Sequence, residues 1–142
     1  MKEVYVVYWS GTGNTAAMAE AVGEGIEAGG AAAKVVSVGE VSPEVLKEAE
    51  CFALGCPSMG AEQLEEGEME PFVSGVEGFA SGKKIGLFGS YGWGDGEWMR
   101  EWASRMEGAG AQIAGGEGVI ANEAPDEEAL DALRKLGMEL AQ

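Results

Sequence analysis

The sequence predicts an α/β domain in which helices cover both faces of a doubly wound, five-stranded parallel sheet. Two observations carry that expectation. Strand-like and helix-like segments alternate along the whole chain, as repeated βα units do. The first unit opens with a continuous apolar run, Val4–Tyr8, as a strand buried on both faces requires. A length of 142 residues fits one domain, residues 1–142, able to bury about 70% of its unfolded surface without a staple.

Each element follows from local pattern. After strand one, Ala16–Ala28 carries Met18, Ala21, Val22 and Ile26 near helical spacing, and Gly29-Gly30 ends it. Lys34–Val38 reads as strand two. Ser42 and Pro43 suit the cap and first turn of a short helix. Cys51–Gly55 is strand three, and Cys56–Gly67 a long acidic loop. Met69–Phe79 is helical, with Phe72, Val73, Val76 and Phe79 on one face. Lys84–Gly89 is strand four, followed by a glycine-rich loop, Ser90–Gly96. Glu97–Glu107 is a helix that turns Trp98, Met99, Trp102 and Met106 to the core. Gln112–Ala121 holds strand five, bent at Gly115-Gly116 or Gly118. Asp126–Leu140 is the last helix, with Leu130, Leu133, Gly137 and Leu140 inward.

Composition narrows the function classes. The net charge of −16 argues against nucleic acid and anionic membrane surfaces, and it suits basic protein partners. Solubility alone also accounts for it. No apolar run approaches a membrane span, and the run within Met1–Ser10 is too short for a signal peptide. Cys51 and Cys56 would face opposite sides of strand three, about 16 Å apart, too far for a disulfide. They read as reduced thiols of a cytoplasmic protein, small hydrophobes of the core.

In doubly wound sheets ligands bind beyond the carboxyl ends of the strands. Three loops there have unusual content and are expected to converge. Trp9-Ser-Gly-Thr-Gly-Asn-Thr15 joins a strand to a helix, so its N–H groups and the helix dipole favour an anion. Ser10, Thr12, Asn14 and Thr15 add neutral donors, and no Lys or Arg lies between Glu3 and Lys34. A nucleoside-triphosphate loop needs a Gly-Lys-Ser/Thr ending that is missing. A dinucleotide fingerprint fits loosely, with Gly11, Gly13 and Ala16 in place and Glu40 where a ribose-binding acid would sit. The density of hydroxyls favours a terminal phosphate.

The second loop, Gly55-Cys-Pro-Ser-Met-Gly-Ala-Glu62, places Gly60 where a type II′ turn needs it. Met59 offers a thioether to a ring face or to the core. The third loop sets Tyr91 and Trp93 among glycines, which suits stacking on a flat ligand; Trp98 and Trp102, on a helix, are core residues. Together the loops specify a flat aromatic ligand with a phosphate tail.

At these residues the chain resembles the short-chain flavodoxins over nearly its whole length. Trp-Ser-Gly-Thr-Gly-Asn-Thr, Gly-Cys-Pro-Ser-Met-Gly-Ala-Glu and Phe-Gly-Ser-Tyr-Gly-Trp-Gly-Asp-Gly carry the resemblance in that order. It implies a strand order of 2-1-3-4-5 and FMN held non-covalently. Ser10, Gly11, Thr12, Gly13, Asn14 and Thr15 would surround the phosphate. Pro57 and Ser58 would lead into Met59, which would flank the ring opposite Trp93. Gly60 would offer its carbonyl to flavin N5, and Glu62 would accept from N3–H. Gly92, Trp93 and Gly94 would reach the O2 and N1 side by their N–H groups, and Ser90 and Tyr91 would line the ribityl chain and ring edge. Ala61 departs from the polar residue many relatives carry.

The resemblance implies a low-potential one-electron carrier cycling between semiquinone and hydroquinone, not an enzyme with its own turnover. Its partners would be reductases and oxidoreductases with basic docking patches, met as a monomer. A nicotinamide-using FMN reductase needs room above the ring, which Met59 and Trp93 would cover. A receiver domain needs acids where Tyr8-Trp9-Ser10 and Gly55-Cys56-Pro57 stand. A nicotinamide-binding module remains the other reading of the first loop.

Overall fold

The computed structural model describes residues 2–142. In order these form β1 (Glu3–Tyr8), α1 (Asn14–Ala28), β2 (Ala32–Ser37), β3 (Cys51–Gly55), α2 (Met69–Glu77), β4 (Lys84–Tyr91), α3 (Glu97–Gly108), β5 (Gln112–Ile113), β6 (Val119–Asn122) and α4 (Glu127–Ala141). The strands pair in parallel in the order β2-β1-β3-β4-β5, and β6 also pairs with β4. This is the doubly wound sheet and the strand order expected.

The central strands follow from their apolar runs. All five residues of β3 are buried, and alternate side chains enter two separate cores. Phe52 and Leu54 join Val7, Ile85 and Leu87 under α2 and α3. Cys51 and Ala53 join Val4, Val6 and Phe88 under α1 and α4. Cys51 and Cys56 thus sit in different cores as unpaired thiols. The α1–α4 layer is tight because Gly25 and Gly137 let two helix backbones touch. A Cβ at Gly137 would overlap the Val22 carbonyl, and one at Gly25 the Arg134 carbonyl.

Several boundaries differ from the sequence reading. The fifth strand is two strands, both alongside β4. Gly115 and Gly116 take φ of 77° and 87°, left-handed conformations that break any extended run. The glycine pair therefore separates β5 from β6 instead of bending one strand. β2 begins at Ala32, because all six of its residues are in register with β1, Glu3 opposite Ala32 through Tyr8 opposite Ser37. Ser42 and Pro43 open a single 3₁₀ turn, Pro43–Leu46, in which Ser42 makes no side-chain cap. β4 runs on through Ser90 and Tyr91, since both pair with β6. The third loop is accordingly shorter, starting at Gly92. Asp126 precedes α4 and caps it, its carboxylate accepting from Ala129 N–H at 2.9 Å.

Candidate functional site

A cleft of about 350 Å³ opens at the carboxyl ends of β1, β3 and β4. All three loops reach it. The first contributes Gly11, Thr12 and Asn14, the second Pro57, Ser58 and Met59, and the third Gly92 and Trp93, next to Ser90 and Tyr91 from the end of β4. Sulfur and indole share this cleft, and Trp93 is 62% exposed at its mouth.

The first loop builds its cradle from its own hydroxyls. Ser10 turns inward, its Oγ accepting the N–H groups of Gly13 at 3.1 Å and Ala16 at 3.2 Å. Gly13 takes φ of 98° at the start of α1 and has no side chain to cap it. The helix therefore begins two residues earlier than its apolar periodicity suggests. Thr15, in the first turn, is 1% exposed, and its Oγ1 has no hydrogen-bond partner.

The second loop is closed differently from the expected four-residue turn. Met59 and Gln63 exchange backbone hydrogen bonds of 2.8 and 2.9 Å, so Gly60, Ala61 and Glu62 form a three-residue apex. Both Gly60 (φ 49°) and Glu62 (φ 55°) are left-handed. Glycine adopts this freely; glutamate does so here while its carboxylate is anchored. Glu62 Oε1 accepts the Glu97 N–H at 3.1 Å, capping α3 from a distance. The same carboxylate packs on Gly94, where a Cβ would come within 2.6 Å of it. Beneath the loop, the Cys56 Sγ accepts the Glu65 N–H at 3.4 Å, and burial pushes the thiol up to about 12. Cys56 is thus an uncharged structural group.

Two lining residues escaped the sequence reading of the site. Trp9 lies in the first loop itself and packs along Gly11. Glu123 follows β6, holds φ of 58°, and brings its carboxylate beside Gly92. Its carbonyl accepts the Ser90 hydroxyl at 2.7 Å, and its N–H donates to the Tyr91 carbonyl at 2.8 Å. The rule that ligands gather beyond strand ends applied equally to Asn122-Glu123 and would have found it. The Tyr91 ring lies 5.7 Å from Trp98, tilted by 50°.

The Flavodoxin family model matches residues 6–137. The chain belongs to the flavodoxin family. It is 45% identical to a flavodoxin of Clostridium beijerinckii over 128 residues, covering 90% of this chain and 92% of that one. It is 46% identical to a flavodoxin of Megasphaera elsdenii over 123 residues, covering 87% and 88% respectively. The solution structure of the two-electron reduced Megasphaera elsdenii flavodoxin superposes with a TM-score of 0.88 at 42% identity, covering 97% of this chain and 98% of that one. A flavodoxin binds FMN and carries electrons, and this chain does so as a member.

The residues present in this flavodoxin fit FMN. A buried hydroxyl without a partner, Thr15 Oγ1, stands in the first turn of α1, where the helix dipole favours an anion. The cleft is polar at that end and is lined by Met59, Tyr91 and Trp93 at the other. No lysine or arginine lines it among the described residues, while Glu123 does. The anchored Glu62 adds a second carboxylate nearby. Negative charge placed in this cleft would meet N–H and O–H dipoles, not a counter-ion.

Proposed function

We propose that Ser10, Gly11, Thr12, Gly13, Asn14 and Thr15 hold the phosphate of FMN, and that Met59 and Trp93 flank its ring. The convergence of three strand-end loops on one cation-free cleft carries this reading. Pro57 and Ser58 set the approach of Met59, and Ser90 and Tyr91 back the ribityl chain. FMN, when bound, supplies the one-electron redox chemistry. The chain supplies position and field. Gly92, Trp93 and Gly94 offer N–H groups to the ring's polar edge, and Glu62 offers its second carboxylate oxygen. Gly60 holds a left-handed φ of 49° and carries no Cβ, so its peptide can turn to present or withdraw its carbonyl as an acceptor without a side-chain clash. That movable acceptor favours a protonated ring nitrogen over a bare one.

Carboxylates at Glu62 and Glu123, in a chain of net charge −16, oppose further negative charge on the ring. The carrier is therefore of low potential, working in its more reduced couple. Its partners carry basic docking patches, and salt slows the encounter. We further propose that residues 1–142 act as one flavin-binding unit, monomeric and cytoplasmic, without substrate turnover of its own.

Purification and reconstitution test this. The expected protein is yellow or takes up FMN in equal proportion, quenches flavin fluorescence, and does not oxidise NADH or NADPH alone. A colourless chain that refuses FMN would overturn the assignment of the cleft.

A further inference from the structure

The sulfur-bearing side chains divide by where they meet solvent. Among the described residues Met18, Met69, Met99, Met106, Cys51 and Cys56 are buried in the two cores. The Cys56 thiol also stays protonated, far from the thiolate that oxidants attack. Of the described sulfur residues only Met59 and Met138 reach solvent. Met59 is half-buried and lines the cofactor cleft. Its backbone is held from both sides. It exchanges bonds of 2.8 and 2.9 Å with Gln63, and the preceding Ser58 N–H donates to the Ser90 carbonyl at 3.0 Å. The thioether is thereby kept in the cleft wall. Met138 is 44% exposed on α4. Its backbone packs on Gly29, just past the far end of α1. That helix starts at the first loop and runs 15 residues, about 22 Å, away from the cleft.

We propose that Met59 is a peroxide-sensitive switch of cofactor uptake, oxidised to its sulfoxide while no ring covers it and shielded once FMN is seated. The sulfur attacks one oxygen of hydrogen peroxide. An S–O bond forms as the O–O bond breaks, and the departing hydroxide takes the proton left on the attached oxygen and leaves as water. Sulfur loses two electrons and the peroxide gains them. The product replaces a soft apolar atom by a strongly polar S=O group. The face of a flat ring offers that oxygen no donor, so seating the flavin against it means desolvating it unpaired. The proposal rests on the reading that Met59 flanks the ring, and it draws a chemical consequence from that placement. Methionine sulfoxide is reducible, so the block is reversible. Peroxide then sorts the chains: loaded ones keep their cofactor and unloaded ones refuse it. Met138 carries the same thioether at the other end of the molecule and is oxidised in either case without effect on FMN.

The test treats the full chain, with and without FMN, with dilute hydrogen peroxide and follows each methionine by peptide mass spectrometry. Without FMN, Met59 and Met138 should each gain one oxygen while Met69 and Met99 stay unchanged. With FMN, Met138 should react at its former rate and Met59 should be spared. A fluorescence titration of the protein oxidised without FMN should then show the flavin bound at least about fivefold more weakly. Met59→Leu should lose no further affinity on treatment, judged against its own untreated form. Met138→Leu should lose as much as the parent chain. A Met59 left unprotected in protein that demonstrably holds FMN would defeat the placement of the ring against Met59, and the switch with it. A Met59 that FMN protects, yet whose sulfoxide binds the flavin undiminished, would defeat the switch alone. A Met59 inert without FMN, oxidation of Met69 and Met99 at the rate of Met59, or a loss that persists in Met59→Leu would also overturn the proposal.

Discussion

Thr15→Val should move two quantities in opposite directions. Thr15 is 1% exposed and its hydroxyl has no partner within the protein, so with no ligand to meet it the group is buried and unsatisfied. Valine has nearly the same shape and no polar atom. Removing such a group relieves a desolvation cost of about 1–3 kcal/mol, less the cost of any imperfect packing. The flavin-free variant should therefore be more stable, with a later urea midpoint at unchanged slope. On the proposed reading the same hydroxyl donates to the charged phosphate of FMN, a bond worth about 1.5–3 kcal/mol. Its loss should weaken FMN binding by about 10- to 150-fold. Urea unfolding with and without FMN, together with a fluorescence titration, reads both effects on one sample. A variant that is less stable without FMN yet binds it as tightly would show that Thr15 Oγ1 does not face the phosphate, and the cradle would need rebuilding.

Gly60→Val places a β-branched residue at φ 49° and hinders rotation of the peptide. Losing a net hydrogen bond of about 1–1.5 kcal/mol should lower the first one-electron potential by about 40–65 mV. Potentiometric titration decides it, and an unchanged value would remove Gly60 from the mechanism. Gly137→Ala pushes a methyl group into the Val22 carbonyl, so α1 and α4 must separate. A loss of about 1–3 kcal/mol in thermal or urea unfolding is expected, with FMN affinity in the folded protein unchanged. The Glu65 carboxylate is raised by burial but more than offset by N–H bonds from Met69, Glu68 and Gly67, leaving it below the usual carboxylate range. Its folded pKa is depressed, so its contribution is present above the unfolded value and fades as pH falls through the folded one. Glu65→Gln should accordingly destabilise at about pH 7 and lose that effect well below about pH 4. A deficit independent of pH would show that charge is irrelevant at this cap.

The sheet was legible because β3 is buried at every residue and β1 is apolar from Val4 to Tyr8. The convergence of three loops followed from connectivity alone, since parallel strands send their exits to one end. What escaped notice was set by contacts between distant segments. The turn after Met59 depends on where Glu62 finds a donor, and that donor is the Glu97 amide, 35 positions away. Ser90 and Tyr91 read as loop because glycine and polar residues surround them, yet β6 alongside makes them strand. The split of the fifth strand hinged on the backbone angles of Gly115 and Gly116, which composition raises but does not decide. Glu123 looked like one more surface acid in a chain with 25 acidic residues. Only its neighbours reveal its place at the cleft.

The phosphate berth proposed for the first loop, built of neutral dipoles, would give this molecule two opposite responses to brine. Ions that shield an acidic surface also shield the anionic tail from it, so a saltier medium should slow the escape of the flavin. The same shielding dissolves the pull between this surface and any positively charged docking mate. In a concentrated electrolyte the cargo stays aboard while the stopovers become briefer.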